Sequence, residues 1–413
     1  MFAAIGRWES REWVVTGRVA LMWGSRFPFD LPVSPERMAA QVAGWEQEVA
    51  AAVAAGSGGV LGARVLLVRA NRFAGRDGES VAIARAHLAA CESTVGADDP
   101  LTLAAGYELA QSLAAAGQHA ESVAGLRPAL AGQERVLGAD HPDTLMSRCA
   151  LAARLWLAAA DRAARQSAAE ALEAVLARGE AVLGPEHPDT LVFRERAAAA
   201  CLALGRLDQA MDLAGRNLAA AERVLPPDHP DLISARMILG TSTMTARRYG
   251  DAVVMLERAC ADGERILGPG HPLTLTALDS LGNACILAGR HEQAISAKER
   301  AAAELERLRG PGHRLVLNSR GGLGAAYSTA GRHGEAIWLL KQVVADCERA
   351  LGRGDRITVI ARGALAAAYD RAGRRGKATS LYWKVLADNE HLYGPDHPHT
   401  QVIRRRLGGG LAR

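Results

Sequence analysis

Lysine is nearly missing from this chain. Four of its 49 basic residues are lysine, at Lys298, Lys341, Lys377 and Lys384, and the rest are arginine. That bias fits GC-rich coding in a bacterium better than it fits a binding surface. A net charge of +4 over 413 residues is too small to imply nucleic acid, which calls for a concentrated basic face. Aromatics are scarce too, at 4%, so the apolar mass is mostly Ala, Leu and Val, which suit closely packed helices. The six cysteines stand singly at Cys91, Cys149, Cys201, Cys260, Cys285 and Cys347. With no CxxC pair a zinc ribbon is unsupported, and small buried thiols in a reducing compartment are expected. No apolar run approaches the ~20 residues of a membrane helix. Arg7, Glu9, Arg11, Glu12 and Arg18 make the N-terminus unlike a signal peptide, so a cytoplasmic protein with no membrane partner is expected. GxSxG and HExxH are missing. The stretch Gly373–Thr379 matches only the tail of a phosphate loop, and Gly56, Gly58 and Gly62 follow a predicted helix where a dinucleotide fingerprint needs a strand. No catalytic residue, cofactor or metal is expected.

What the chain does have is a punctuation mark. LGPEHPDTL at 183–191 returns as LGADHPDTL at 137–145, LPPDHPDLI at 225–233 and LGPGHPLTL at 267–275. Worn copies are VGADDPLTL at 95–103, RGPGHRLVL at 309–317, LGRGDRITV at 351–359 and YGPDHPHTQ at 393–401. The residue after the motif His falls at Pro100, Pro142, Pro188, Pro230, Pro272, Arg314, Arg356 and Pro398. The steps are 42 residues, except one of 46. A second mark runs between them at Gly75, Gly117, Gly205, Gly289, Gly331 and Gly373, with Arg247 in one glycine's place. Between the marks, Leu275, Leu278, Leu281 and Ile286, then Ala294, Ile295, Ala301, Leu305 and Leu308, recur at helical spacing. No two-residue alternation appears. The unit is a helix–turn–helix repeated about eight times.

The motif's chemistry fits a joint between helices. Gly suits the left-handed residue that ends a helix, Pro suits the first turn of the next, and Asp143, Asp189 and Asp231 favour its dipole. His stands near the N-cap, and Asp99 and Asp355 replace it in worn copies, as a capping role allows. His141, His187, His229, His271, His313 and His397 cannot share an ion. Packed helices put equivalent residues roughly 10 Å apart, against metal–ligand bonds of ~2–2.6 Å. The four extra residues fall near 158–167, as a longer loop or an added helical turn.

Residues 1–57 do not follow the repeat. They hold Phe2, Trp8, Trp13, Trp23, Phe27, Phe29 and Trp45. The run 13–23 reads as a helix or a hairpin, and a helix is predicted from Ser34-Pro35 to about Ala55. The segment is expected to cap the first repeat's apolar face, or to serve as a contact surface for another protein or for self-association into a homo-oligomer.

In its 42-residue unit and its LGxxHPxT joint the chain resembles tetratricopeptide repeat (TPR) proteins of the kinesin-light-chain type, over about residues 58–407. The family's columns fall on Leu281, Gly282, Cys285, Ala294 and Ala301, on Leu323, Gly324, Tyr327, Ala336, Leu340 and Val343, and on Leu365, Ala366, Tyr369, Ala378, Tyr382 and Val385. The resemblance implies an all-α fold: a right-handed TPR superhelix, or α-solenoid, of about eight antiparallel helix pairs, here with an N-terminal aromatic-rich cap. It divides the chain into the cap at 1–57 and a solenoid at 58–413. The units are 58–99, 100–141, 142–187, 188–229, 230–271, 272–313, 314–355 and 356–397, with a closing helix at 398–413.

The resemblance further implies that first helices line a concave groove for peptides or partner proteins. The Asn pair that kinesin light chains use there is replaced by Asp279-Ser280, Gly321-Gly322, Gly363-Ala364, Glu195-Arg196 and Met237-Ile238. The groove candidates are Tyr107, Gln111, Glu195, Arg196, Thr241, Asp279, Asn283 and Asn318, set in a wall of Ala, Gly and Thr that leaves room for bulky ligand side chains. Late basic residues at Arg362, Arg371, Arg374, Arg375, Lys377 and Arg404–Arg406 read as a solvated rim with a polar C-terminal cap, or as a docking patch for an acidic partner or nucleic acid. The expected function is a non-enzymatic interaction scaffold. Two rivals stand beside it: a regulatory sensor of a signalling peptide or small molecule, and an enzyme on a TPR frame using Glu195, Asp279 or a His as acid or base.

Overall fold

The computed structural model describes residues 60–73, 76–159, 161–395 and 398–410, together with 44 and 47. The rest of the aromatic-rich segment 1–57, His397 and the last three residues lie outside the described residues. Among the described residues there are helices and turns and no strand. First helices of successive pairs are α1 (Val60–Phe73), α3 (Pro100–Ala115), α5 (Pro142–Ala158), α7 (Pro188–Leu204), α9 (Pro230–Thr245), α11 (Pro272–Leu287), α13 (Arg314–Thr329) and α15 (Arg356–Arg371). Their partners are α2 (Asp77–Thr94), α4 (His119–Val136), α6 (Arg162–Val182), α8 (Leu207–Val224), α10 (Tyr249–Ile266), α12 (His291–Arg309), α14 (His333–Ala350) and α16 (Arg375–Tyr393), and α17 (Pro398–Gly410) follows. The described residues form two compact units. One runs to Ser242 and includes Arg265–Gly268; the other holds Thr243–Glu264 and the residues from Pro269 onward.

Several residues of the motif have a local task at the joint. Gly138 and Gly184 adopt φ of 89° and 94°, a left-handed turn that a side chain would strain. The imidazole Nδ1 of His141, His187, His229, His271 and His313 accepts a hydrogen bond from the backbone N–H two residues on, at 3.1–3.2 Å. Asp99 and Asp355 make the same cap at 2.8 Å. In three copies the motif threonine closes the loop: the hydroxyls of Thr102, Thr358 and Thr400 donate to the carbonyls of Gly96, Gly352 and Gly394 at 2.7–2.9 Å, whereas those of Thr144, Thr190 and Thr274 are buried without a hydrogen bond. At the intermediate turns, Arg247 takes φ 63° where Gly117, Gly205, Gly289, Gly331 and Gly373 stand in other units, at a local cost of about 1 kcal/mol.

The capping reading carries a pH signature. Burial pulls His271 from the usual 6.5 down to about 4, which keeps its Nδ1 an acceptor. A pKa depressed by folding stabilises the chain fully above about 6.5, and that share is lost as pH falls through about 4. His271→Ala is expected to cost about 1 kcal/mol in chemical denaturation at pH 7, and His271→Asp to cost little, as the worn joints show.

The four extra residues lengthen helices. α6 has 21 residues where α4 has 18, α5 has 17 where α3 has 16, and Asp161 caps the longer α6 by accepting from Ala164 N–H at 2.8 Å.

Pairs pack closely because the small-residue column permits it. A Cβ added at Gly324 of α13 would lie 2.5 Å from Leu340 Cγ of α14. Leu340 is fully buried, a contribution of about 1.5–3 kcal/mol relative to exposure. It joins Ile337, Val359, Leu365, Tyr369 and Val385 in one core cluster.

Candidate functional site

Repetition of that small-residue pattern opens a trough in the second unit. Asn318, Gly321, Gly322, Ala325 and Thr329 on α13 follow the spacing i, i+3, i+4, i+7, i+11, which is one face of a helix. Ile360, Gly363, Ala364, Ala367 and Arg371 occupy the same columns on α15. All ten line one cleft of about 1140 Å³, open solvent included. Asn283 and Ile286 of α11 border it on one side; Val402, Ile403 and Arg406 of α17 and Tyr382 of α16 border it on the other. The floor columns are those in which the resemblance placed asparagines. A Cβ at Gly321 would meet nothing nearer than Val343 Cγ1 at 4.0 Å, so the trough is real space and not a close helix contact.

The trough is polarised along its length. Amides stand at the α11–α13 end, Asn283 and Asn318. Guanidiniums stand at the α15–α17 end, Arg371 and Arg406. Among the described residues, no carboxylate lines the cleft. Arg371 donates to Ser328 Oγ at 3.2 Å. Arg406 donates to the Tyr382 hydroxyl at 2.7 Å and lies 3.7 Å from Asp370. Burial, and then the like charge of Arg406, lower the pKa of Arg371.

Three of the expected groove residues lie in this second unit. Asn283 and Asn318 line the trough. Asp279 is engaged below the wall: its Oδ1 accepts from Lys298 Nζ at 2.6 Å, and Lys298 is 1% exposed. A Cβ at Gly322 would stand 3.3 Å from that ammonium, so Lys298 lies directly under the floor.

The other five lie in the first unit, and their surroundings are largely buried. Gln111 Oε1 accepts from the fully buried Arg154 at 2.6 Å. Arg196 faces the Cys149 thiol at 3.8 Å. Thr241 Oγ1 donates into its own helix, to the carbonyls of Met237 and Ile238. Burial pushes the Tyr107 hydroxyl up and takes Arg154 down to about 9. Burial, then the Asp231 charge, push the Glu195 carboxyl to about 8 against the attraction of Arg196. A pKa raised by folding contributes stability that is complete below about 4.5 and lost as pH climbs through about 8. The slope is at most about 1.4 kcal/mol per pH unit. Glu195→Gln is expected to flatten the stability profile between those limits, measured as the denaturation midpoint against pH.

Of the late basic residues, Arg362 is neither rim nor patch. It is buried, paired with Asp388 and, at 3.0 Å, with Glu348. It belongs to a column that sequence reading missed. Arg148, Arg194 and Arg236 likewise reach back 14 positions across a joint to Glu134, Glu180 and Glu222 at 2.7–3.1 Å. A Glu and an Arg at that fixed interval astride each motif were the available signal. A second series ties joint to joint: Asp98, Asp140, Glu186 and Asp228 pair with Arg135, Arg178, Arg223 and Arg265. Gly270, Gly312 and Gly354 stand where the other joints carry that acid, and Arg307 and Arg349 turn to Glu304 and Asp346 of their own helices; Asp355, beside Gly354, pairs with Arg314 of the preceding joint at 2.9 Å.

Among the described residues no group of three His, Cys, Asp or Glu side chains could hold a metal ion, and no helix is long and apolar enough to cross a membrane. The six cysteines are buried and free.

Two tetratricopeptide repeat models match the chain, one at residues 231–303 and 287–349, the other at 102–143, 144–189, 197–231 and 358–399. The chain belongs to the tetratricopeptide repeat family. None of the curated proteins matches it. Among solved structures it is similar to the TPR-like repeats of a putative kinesin light chain from Podosopora anserina, 26% identical over 50% of this chain and 99% of that one, with a TM-score of 0.45. A Rap protein complexed with competence and sporulation factor is 12% identical over 84% of this chain and 96% of its own, with a TM-score of 0.51. The apo quorum sensor NprR from B. thuringiensis is 11% identical over 84% and 97%, also at 0.51. The last two likenesses are likenesses of fold.

Proposed function

We propose that this chain is a non-enzymatic interaction module that holds an extended peptide, or an extended segment of a partner protein, in the trough of its second unit. The observation that supports this most is the pair of matching faces on α13 and α15, where glycine and alanine leave an apolar channel with amides at its edge. Such a wall offers room and apolar contact to side chains, and Asn283 and Asn318 offer both donor and acceptor to a peptide backbone. The test fills the space without disturbing the helices. Gly321→Leu has an open Cβ position, and removing a mid-helix glycine favours the helix by up to about 1 kcal/mol. The variant should melt no lower than the parent and should lose the protein captured by the parent from a lysate of its source. Capture unchanged by Gly321→Leu removes the trough from the proposal.

A regulatory sensor is the second reading. It is supported by the fold shared over 84% of this chain with a Rap protein solved with its factor and with the quorum sensor NprR. It requires a free peptide ligand that raises the melting temperature in proportion to RT ln(1 + [L]/Kd), where a scaffold requires only a partner protein that offers an extended segment.

A further inference from the structure

The outer face of the last two second helices changes character. Where α10 presents Val254, Glu257 and Arg258, and α12 presents Ser296, Glu299 and Arg300, the same columns hold Trp338, Lys341 and Gln342 on α14 and Ser380, Trp383 and Lys384 on α16. Trp338 is 64% exposed and Trp383 53%. They point away from the buried Leu340 and Val343 of one helix and Val385 and Leu386 of the other. Trp383 stands in the column of Lys341, 42 residues on. The two rings are therefore offset by one helix spacing of ~8–10 Å and by three residues of ~1.5 Å, roughly 10 Å in all. Every carboxylate on these two helices is held by arginine: Glu335 by Arg332, Asp346 by Arg349, Glu348 and Asp388 by Arg362, and Glu390 by Arg404. Lys341, Arg375, Lys377 and Lys384 are exposed, and among the described residues none of them pairs with an acid. Lys377 leans back over the Tyr369 ring, 5.7 Å from its centroid. The face is thus positive and uncompensated, with two indoles set into it.

We infer that this outer face rests on an anionic lipid surface, with Trp338 and Trp383 at headgroup level and Lys341 and Lys384 beside them. The choice of lysine supports this. Three of the chain's four lysines lie on α14 and α16; the fourth, Lys298, is buried against Asp279. Carboxylates on these helices are gripped by arginine, whose fork reads a fixed geometry, whereas an ammonium is a compact point charge that suits a field of anions in no fixed arrangement. Lysine stems can lie along acyl chains while their heads stay among the headgroups, and an indole favours the same depth, its ring apolar and its N–H wet. Each cation close to an anionic leaflet adds about fivefold to affinity. The same surface on a second copy would bring like charge and be repelled. A single nucleic-acid strand is tracked by a groove, while α14 and α16 lie side by side and offer a plane. No helix of the described residues is long and apolar enough to cross a membrane, and a contact at the interface needs none.

The test uses the full chain and vesicles pelleted by centrifugation, made of phosphatidylcholine alone or of phosphatidylcholine and phosphatidylglycerol in equal parts. The parent should partition onto the anionic vesicles at least about tenfold more strongly than onto the neutral ones, and high salt should erase the difference. Trp338→Ala/Trp383→Ala and Lys341→Gln/Lys384→Gln should each lose at least about tenfold of that binding. Neither should lower the melting temperature, because all four side chains are exposed. Gly321→Leu should bind vesicles as the parent does, which keeps this inference separate from the trough. Equal partition onto the two kinds of vesicle, or none onto either, overturns it. So does anionic binding that survives both double variants, since that places the contact elsewhere, for instance on the aromatic residues of 1–57. Loss in the lysine pair with none in the tryptophan pair shows plain counter-ion attraction and overturns it as well. A thymidine oligonucleotide is the remaining probe: tryptophan-dependent binding of that strand, with none to anionic vesicles, would replace the lipid surface by a nucleic acid.

Discussion

Phe193→Ala is expected to cost about 3–5 kcal/mol of stability, as removal of a fully buried aromatic does when the site cannot collapse. Phe193 is 0% exposed on α7. Its ring fills the notch left by Gly179 of α6: a Cβ built there would lie 2.6 Å from Phe193 Cδ2 and 2.9 Å from Cε2. Gly179→Ala alone should therefore be unfavourable, with an overpacking cost of about 1–3 kcal/mol against a helix gain of about 1 kcal/mol. In the Phe193→Ala background the ring is gone, the clash disappears and the helix gain remains. The sign of Gly179→Ala should then reverse, and the pair should show a coupling of 1 kcal/mol or more (about the lower bound for residues in contact) in a double-mutant cycle by chemical denaturation. Strict additivity would show that the notch and the ring are not fitted to each other.

Asp279→Ala should be the second large loss, about 3 kcal/mol, from removing the partner of a buried charge. Lys298 threads its stem beneath Gly282, where a Cβ would meet Lys298 Cε at 2.7 Å, and delivers its ammonium to Asp279 at 2.6 Å with 1% exposure. Asp279 is itself 35% exposed, so the loss falls at the lower end of the range for such pairs. Asp279→Ala/Lys298→Met should recover most of it, since an apolar replacement of both partners leaves no stranded charge. Circular dichroism melts of the three variants decide this. A single variant as stable as the parent would mean that water reaches the ammonium. The comparison also bears on binding. Any capture lost in Asp279→Ala has to be set against a floor that has lost its support, whereas Gly321→Leu alters the trough without touching that pair.

The joints were legible in the sequence because their chemistry is local. Gly, His or Asp, Pro and Thr act on backbone groups two to six residues away, so a nine-residue window contains the whole interaction. The helix pairs were legible because their period repeats. Asn283 and Asn318 could be placed by counting columns. Lys298 could not: a lysine in a helix gives no local sign that a glycine column on the preceding helix will bury it. Arg371 and Arg406 stood among basic residues that read first as a solvated rim, with nothing local to set them apart. Only the stacking of α13, α15 and α17 separates Arg362, tied to Asp388 and Glu348, from the two that border the cleft. Glu195 and Arg196 were named from their column, but their burial depends on neighbours dozens of residues away.

The joint-to-joint ion pairs are unevenly spread. Four consecutive joints, at Asp98, Asp140, Glu186 and Asp228, are each tied to an arginine near the C-terminal end of a second helix; Gly270, Gly312 and Gly354 lack that tie, and Asp355 is held instead by Arg314 of the joint before it. One exposed pair is worth well under about 1 kcal/mol. In a stacked array, however, opening propagates through nearest-neighbour contacts, and small differences at each interface multiply along it. Breathing motions are therefore cheapest between α11 and α13, two of the helices that carry the trough. Their amides should exchange with solvent earlier than those around the tied joints. The channel would then admit a ligand by brief parting of adjacent pairs, with neither a lid nor a hinge.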